Sequence, residues 1–243
     1  VTDMEYLFYN KTTFNEDLTL WDVSQVTKIG SMFSSATNFN NGDIAGQSNK
    51  PLNWNVSKVT NMESMFRDAT NFNQDIGSWD VSKVVAFNGM FYAAEKFNQD
   101  IGSWDVSNAT TIQTMFCHAN DFNNGDIAGQ SNKPLNWNIS KITSLKWLFN
   151  NNYVFNQNLT WLGSPWDVSK ITDTSKMFQN ARVFDRDLSS WDTSNVTTMS
   201  GMFESAHVFN QDISTKIIPA NGNNLSYTAW NVSKVTTMSG IFN

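Results

Sequence analysis

Carboxylates, lysines, tryptophans and asparagine sequons recur along this chain at fixed spacing, and each set suggests a different chemistry. Asp17, Asp75, Asp100, Asp187 and Asp212 form one recurring position, while Asp22, Asp80, Asp105, Asp167 and Asp192 each follow a Trp. In a parallel stack with strands about 4.8 Å apart, neighbouring carboxylates repel by on the order of 1 kcal/mol even in water. Such columns therefore need an offsetting partner. Calcium fits poorly, because the Gly-Gly-x-Gly-x-Asp nonapeptide of calcium-binding β-rolls is absent and Asn55, Asn138 and Asn231 stand in for Asp. Capping of turn amides explains Asp and Asn alike.

Three residues beyond the second Asp column stand Lys58, Lys83, Lys141, Lys170 and Lys234, joined by Gln25, Asn108 and Asn195. A basic stripe beside an acidic one is expected to neutralise it, and is also a candidate partner surface. The recurring Trp is followed two residues on by an apolar residue or Thr193, the spacing of a strand with both side chains inward. Those indoles are expected in the core, so Trp147 and Trp161, outside the column, are the exposed aromatic candidates for partner contact. Eight Asn-x-Ser/Thr sequons occur. Those beside Trp alternate with Asp and are expected to be structural. Asn10, Asn108, Asn195 and Asn224 occupy variable columns or an insert and are candidate glycan acceptors. His118 and His207 lie in columns that other coils fill with Asp, Ala, Ser or Thr. With the single cysteine Cys117, no HExxH and no GxxxxGK[ST], no catalytic, cofactor or metal set is expected, and the chain is expected not to be an enzyme.

The elements that hold these columns follow from a repeat. Trp-Asp/Asn-Val-Ser, or a close variant, begins eight coils at Trp21, Trp54, Trp79, Trp104, Trp137, Trp166, Trp191 and Trp230. A Phe follows each Trp by 12 residues, and a second Phe follows 6 later in all but the last coil. From the second Phe to the next Trp the joint is 7 residues in three places but 15, 15, 11 and 21 in the others. All variation in length is therefore confined to one edge of the stack. Residues 42–53 and 125–136 are identical inserts at that edge. Within a coil, Val81, Val84, Phe87, Met90, Phe91, Ala94, Phe97 and Ile101 stand mostly three or four apart, with Met90 and Phe91 adjacent. This predicts a short parallel strand at Trp79–Val81 and one helical or 3-10 turn near 89–94. A single coil buries too little apolar surface to offset its backbone entropy, so stability must come from stacking. Val1-Thr2-Asp3-Met4 aligns with Val26-Thr27-Lys28-Ile29, and the chain stops before a second Phe, as expected of a piece of a longer array.

The run Phe72-Asn73-Gln74-Asp75-Ile76-Gly77-Ser78-Trp79-Asp80-Val81-Ser82, with Met65-Phe66, closely resembles the repeat of the BspA-like bacterial-surface-protein family. The resemblance covers the chain apart from its inserts. It implies a leucine-rich-repeat-like solenoid of about eight to nine coils over residues 1–243, displayed extracellularly at a cell surface. Its implied role is adhesion or contact with a protein or glycan, or, as a structural alternative, a filament or sheath subunit stacked on copies of itself. The net charge of −6 argues against a nucleic-acid partner, and no apolar run reaches the ~18 residues of a membrane span.

Overall fold

In the computed structural model, which describes residues 1–220 and 225–243, the chain is a repeat protein of stacked coils. Parallel bridges join equivalent residues of successive coils: Asp3 to Lys28, Lys28 to Asn61, Asn61 to Ala86, Ala86 to Thr111, then Ser144 to Asp173, Asp173 to Thr198 and Thr198 to Thr237. Each bridging residue stands seven positions after its Trp, or at the equivalent point of the first, partial coil. The predicted strand at Trp79–Val81 is not formed. There the Asp80 carboxylate accepts from the Ser82 N–H at 3.1 Å and the Val84 N–H donates to the Val81 carbonyl at 2.9 Å, so the backbone is already turning. Pairing begins only after that corner.

The expected helical turn is also absent among the described residues, and the reason lies in the hydrogen bonds. In the coil of Trp54, the N–H groups of Met62, Ser64, Phe66 and Asp68 donate to Ala86, Asn88, Met90 and Tyr92 of the next coil, at 2.7–3.0 Å. The alternate N–H groups of Met65, Arg67 and Ala69 close turns within their own coil, onto Met62, Ser64 and Phe66. Ser64 and Asp68 are left-handed, with φ of 54° and 55°, as are Thr114 and His118 or Lys176 and Asn180 at the same points of other coils. A right-handed helix excludes such residues. Each costs about 1–2 kcal/mol, offset here because its N–H is one of those that reach the neighbouring coil. The three-to-four spacing of Met62, Met65, Phe66 and Ala69 therefore belongs to successive tight turns rather than to a helix.

The apolar side chains of all coils merge into one cluster from Leu18 to Trp230. Two phenylalanine columns run up it. Phe33, Phe66, Phe91, Phe116, Phe149, Phe178 and Phe203 stack with centroids 5.6–5.8 Å apart, each also against the second Phe of its coil at 3.8–4.1 Å. The tryptophan column is buried except for Trp21. Its indoles bind coil to coil: Trp54 Nε1 donates to the Leu18 carbonyl at 3.0 Å, Trp137 to Ile101 at 3.0 Å and Trp230 to Leu188 at 2.9 Å. Among the described residues, regular strands occur only at the joints. β1 (Leu135–Asn136) pairs in parallel with β2 (Leu159–Trp161), which turns back on β3 (Ser164–Pro165). β4 (Lys216–Ile218) and β5 (Tyr227–Ala229) form an antiparallel pair in the longest joint. No helix among the described residues is long and apolar enough to cross a membrane.

Candidate interaction surface

The polar columns come first because the coil geometry fixes them. In every coil the Asp or Asn after Trp accepts from the N–H two residues on, as Asp22 does from Ser24 at 2.9 Å, Asn55 from Ser57 at 3.2 Å and Asp192 from Ser194 at 3.0 Å. The other Asp column does the same: Asp75 caps Gly77, Asp100 caps Gly102 and Asp187 caps Ser189. The Ser24 and Ser82 side chains, then the N–H groups of the same residues, hold the Asp22 and Asp80 carboxyls below the usual carboxylate range, the Ser189 N–H does so for Asp187, and the Asp212 carboxyl, bonded by Ser214 and Lys216, falls to about 2. Among the described residues no group of three or more His, Cys, Asp or Glu is placed to hold a metal ion.

The lysine column makes no direct ion pair with its acidic neighbour among the described residues. Lys58 Nζ bonds Gln25 Oε1, Lys141 Nζ bonds Asn108 Oδ1 and Lys234 Nζ bonds Asn195 Oδ1, each at 2.6 Å, while Lys170 bonds the Ser140 carbonyl at 2.9 Å. Each therefore leans one coil back along its own column, a direction set by the amide or carbonyl waiting there. Lys83 makes no such bond among the described residues. All five remain exposed.

The opposite chemistry is found at the joints. The identical inserts share one set of side-chain amide bonds, although only the second ends in a strand, β1. Asn40 Nδ2 donates to the Ile44 and Gln47 carbonyls, Asn41 Nδ2 to that of Lys50, and Asp43 receives the Ile44 and Asn49 N–H groups. Asn123, Asn124 and Asp126 repeat every one of these bonds onto Ile127, Gln130, Lys133 and Asn132. From the next coil, Gln74 and Gln157 each accept from the insert lysine N–H and donate to two insert carbonyl or carboxylate oxygens. The inserts do not project freely. Gly46 N–H bonds the Asn71 carbonyl and Gly129 N–H that of Val154, both at 3.0 Å, so each insert lies along the following coil, and its exposed large apolar residue is Ile44 or Ile127, at 75% and 74%.

Between the two inserts lies an open cleft of about 490 Å³. Gly46 and Asn73 form one end, Asp126, Ile127 and Val154 the other. A Lys96–Asp121 ion pair of 3.2 Å lies in its wall, and Asn132 and Ile127 N–H bonds, with the Gln157 amide, keep the Asp126 carboxyl below its ordinary range. Sequence reasoning singled out the inserts but not Lys96, Asp121 or Asp126. The available signal was the switch from Phe-Asn-Gln-Asp at 72–75 and 97–100 to Phe-Asn-Asn-Gly-Asp at the two inserts.

The remaining candidates are scattered. Trp147 and Trp161 are half-buried rather than exposed; Lys176 Nζ lies 5.4 Å over the Trp147 ring, and Trp161 ends β2. Asn108 and Asn195 donate their amides to the Ser82 and Ser169 carbonyls while accepting the lysines. Asn10 is exposed and left-handed, with φ of 58°, and Asn224 lies outside the described residues. His118 Nε2 is 3.3 Å from the Asn151 amide and His207 lies three coils further on, so the histidines are not brought together. Cys117 is buried, which pushes its thiol up to about 12.

Comparison with known families gives one match. The model of the family described as "Mycoplasma protein of unknown function, DUF285" matches residues 1–50, 43–133 and 126–243. The second and third segments begin at Asp43 and Asp126, the same residue of the two identical inserts. No curated protein matches the chain.

Proposed function

Because this chain belongs to the family described as Mycoplasma protein of unknown function, DUF285, whose description assigns no reaction, we propose a role from its own architecture. It is a leucine-rich-repeat-like solenoid, displayed at a cell surface, that binds a protein or glycan partner and performs no reaction. The duplicated insert carries this reading. A loop that stability alone required would be present in every coil, yet three joints close with 7 residues, so the core does not need the longer ones. What the inserts add is a pair of identical arms, each fixed by side-chain amides and each presenting an isoleucine to solvent beside the cleft. Rigid arms on a stacked scaffold lose little freedom on binding, which is how a repeat surface gains affinity.

The test replaces residues 41–53 and 124–136 each by the short joint Gln-Asp-Ile-Gly-Ser that the chain uses after Asn73. Beads coated with parent or shortened protein are compared for adherence to cultured cells, with thermal unfolding as the check on folding. Loss of adherence in a folded shortened variant supports the proposal. Equal adherence of the two, or none by the parent, counts against it.

A further inference from the structure

The exposed stripe formed by the residues one and four positions after Trp has a period of three coils. Coils 1, 4 and 7 read Asp22/Gln25, Asp105/Asn108 and Asp192/Asn195 and are acidic. Coils 2, 5 and 8 read Asn55/Lys58, Asn138/Lys141 and Asn231/Lys234 and are basic. Coils 3 and 6 read Asp80/Lys83 and Asp167/Lys170 and are balanced. The two positions flank one tight corner, closed for example by Val26 N–H on the Val23 carbonyl at 2.9 Å, and the coil-to-coil bonds of the lysine column keep successive corners in line.

A repeat of one negative, one positive and one neutral coil, read backwards with the signs exchanged, is the same repeat. We infer that this stripe is a self-association surface on which a second copy of the chain docks antiparallel, about a two-fold axis. With coil 1 opposite coil 8, Asp22 faces the partner's Lys234, Asp80 faces Lys170, Asp105 faces Lys141, Asp167 faces Lys83 and Asp192 faces Lys58. Every charge of the stripe then meets its opposite. A parallel copy in register sets like against like, and shifted by one or two coils it matches an acidic coil with a basic one only once in three. Lys58, Lys141, Lys170 and Lys234 reach back to the preceding coil, a shift of one step that an antiparallel partner accommodates by the same change of register. Isologous pairing of this kind is the usual way a chain uses one surface twice, and alternating charge fixes register and orientation more than raw affinity.

The experiment uses the column's own alternatives, so the fold is kept. One variant carries Lys58→Gln, Lys83→Gln, Lys141→Gln, Lys170→Gln and Lys234→Gln; the other carries Asp22→Asn, Asp80→Asn, Asp105→Asn, Asp167→Asn and Asp192→Asn. Both substituted residue types already occur at the stripe or retain the cap. Sedimentation equilibrium at about 0.01 M salt, where charges act over roughly 30 Å, should give the parent twice its 27.5 kDa. At about 1 M, where that reach is about 3 Å, the parent should be monomeric. Each variant alone should be monomeric at low salt, and their equimolar mixture should pair. A parent monomeric at low salt, variants that self-associate as the parent does, or a mixture that stays monomeric would each overturn the inference.

Discussion

The block from Trp to the second Phe keeps its length wherever it recurs and the two inserts keep their sequence, but block and insert are held by different forces. In the block, main-chain N–H groups alternate between the next coil and their own turn, and the apolar side chains fill the core. In the inserts the main chain receives its bonds from Asn40, Asn41, Asp43 and Gln74, or from Asn123, Asn124, Asp126 and Gln157. The block's shape is a property of the stack, whereas the insert's shape is written in a few amides. A mutation in the block should therefore spread along the array, and one in the insert should stay local.

The largest expected effect is in the block. Phe116 is fully buried, stacked on Phe91, Phe122 and Phe149. Phe116→Ala should lower unfolding free energy by about 3–5 kcal/mol. In urea it should also split a single transition into two, because coils on either side lose their shared contact. A single transition with unchanged midpoint would break the comparison.

A glycine pair sharpens the insert side. Gly125 has φ of +73°, and an added Cβ would stand 2.9 Å from the Asp100 N and 3.2 Å from Lys133 Nζ. Gly163, in the β2–β3 turn, has φ of +78° but open space around it. Gly163→Ala should cost only the left-handed conformation, about 1–2 kcal/mol. Gly125→Ala should cost roughly 3 kcal/mol, since contact with backbone adds to that strain, and hydrogen exchange should locate the loss at 125–136. Equal costs at the two sites would mean the insert has slack that its bonds do not suggest.

How much of this was legible in the sequence follows the same division. The Trp and Phe columns were readable because each serves the same purpose in every coil, so repetition revealed burial directly. The Asp caps were readable because Asn55, Asn138 and Asn231 share the column, and capping a turn amide needs only the oxygen that Asp and Asn have in common. The turns at 89–94 were misread as helical because i, i+3, i+4 spacing is common to a helix and to consecutive tight turns. Only the left-handed residues at Gly89 and Ala93 distinguish them, and Ala93 carries no sign of that conformation in its identity. Lysine pairing was missed because Lys58, Lys141 and Lys234 bond amides of the preceding coil, 33 or 39 residues away, rather than the Asp beside them.

A smaller effect distinguishes two tryptophans of the block. Trp137 Nε1 donates to Ile101, whereas Trp191 Nε1 is buried without a partner. The coil before Trp191 begins with Trp166 after the β2–β3 hairpin, whose turn takes the place of a plain joint. Replacing each Trp by Phe removes similar apolar surface. Trp137→Phe should additionally leave the Ile101 carbonyl without its indole donor, making it about 1 kcal/mol more destabilising than Trp191→Phe. Equal losses in urea unfolding would show that the indole bonds contribute nothing to coil stacking.

The smallest effect is acid opening of the inserts. The Asn49 N–H, with the Ile44 N–H and Gln74 amide, lowers the Asp43 carboxyl below its ordinary value, and Asn132, Ile127 and Gln157 do the same for Asp126. A carboxyl whose folded pKa lies below its unfolded one contributes stability that is fully present above the unfolded value of about 4. That contribution is lost as pH falls through the lowered folded value. Protonation removes the charge from the acceptor of Asn49 and Asn132, so amide exchange at 44–49 and 127–132, corrected for the intrinsic pH dependence, should accelerate below about pH 4. Exchange at Met65–Phe66 and Met115–Phe116 should not follow, because main-chain carbonyls hold those amides and do not titrate. Asp126→Asn should abolish the pH response of the second insert while leaving that of the first. Parallel acceleration of block and insert would mean that the joint unfolds only with the stack, and that the two regions are not held independently.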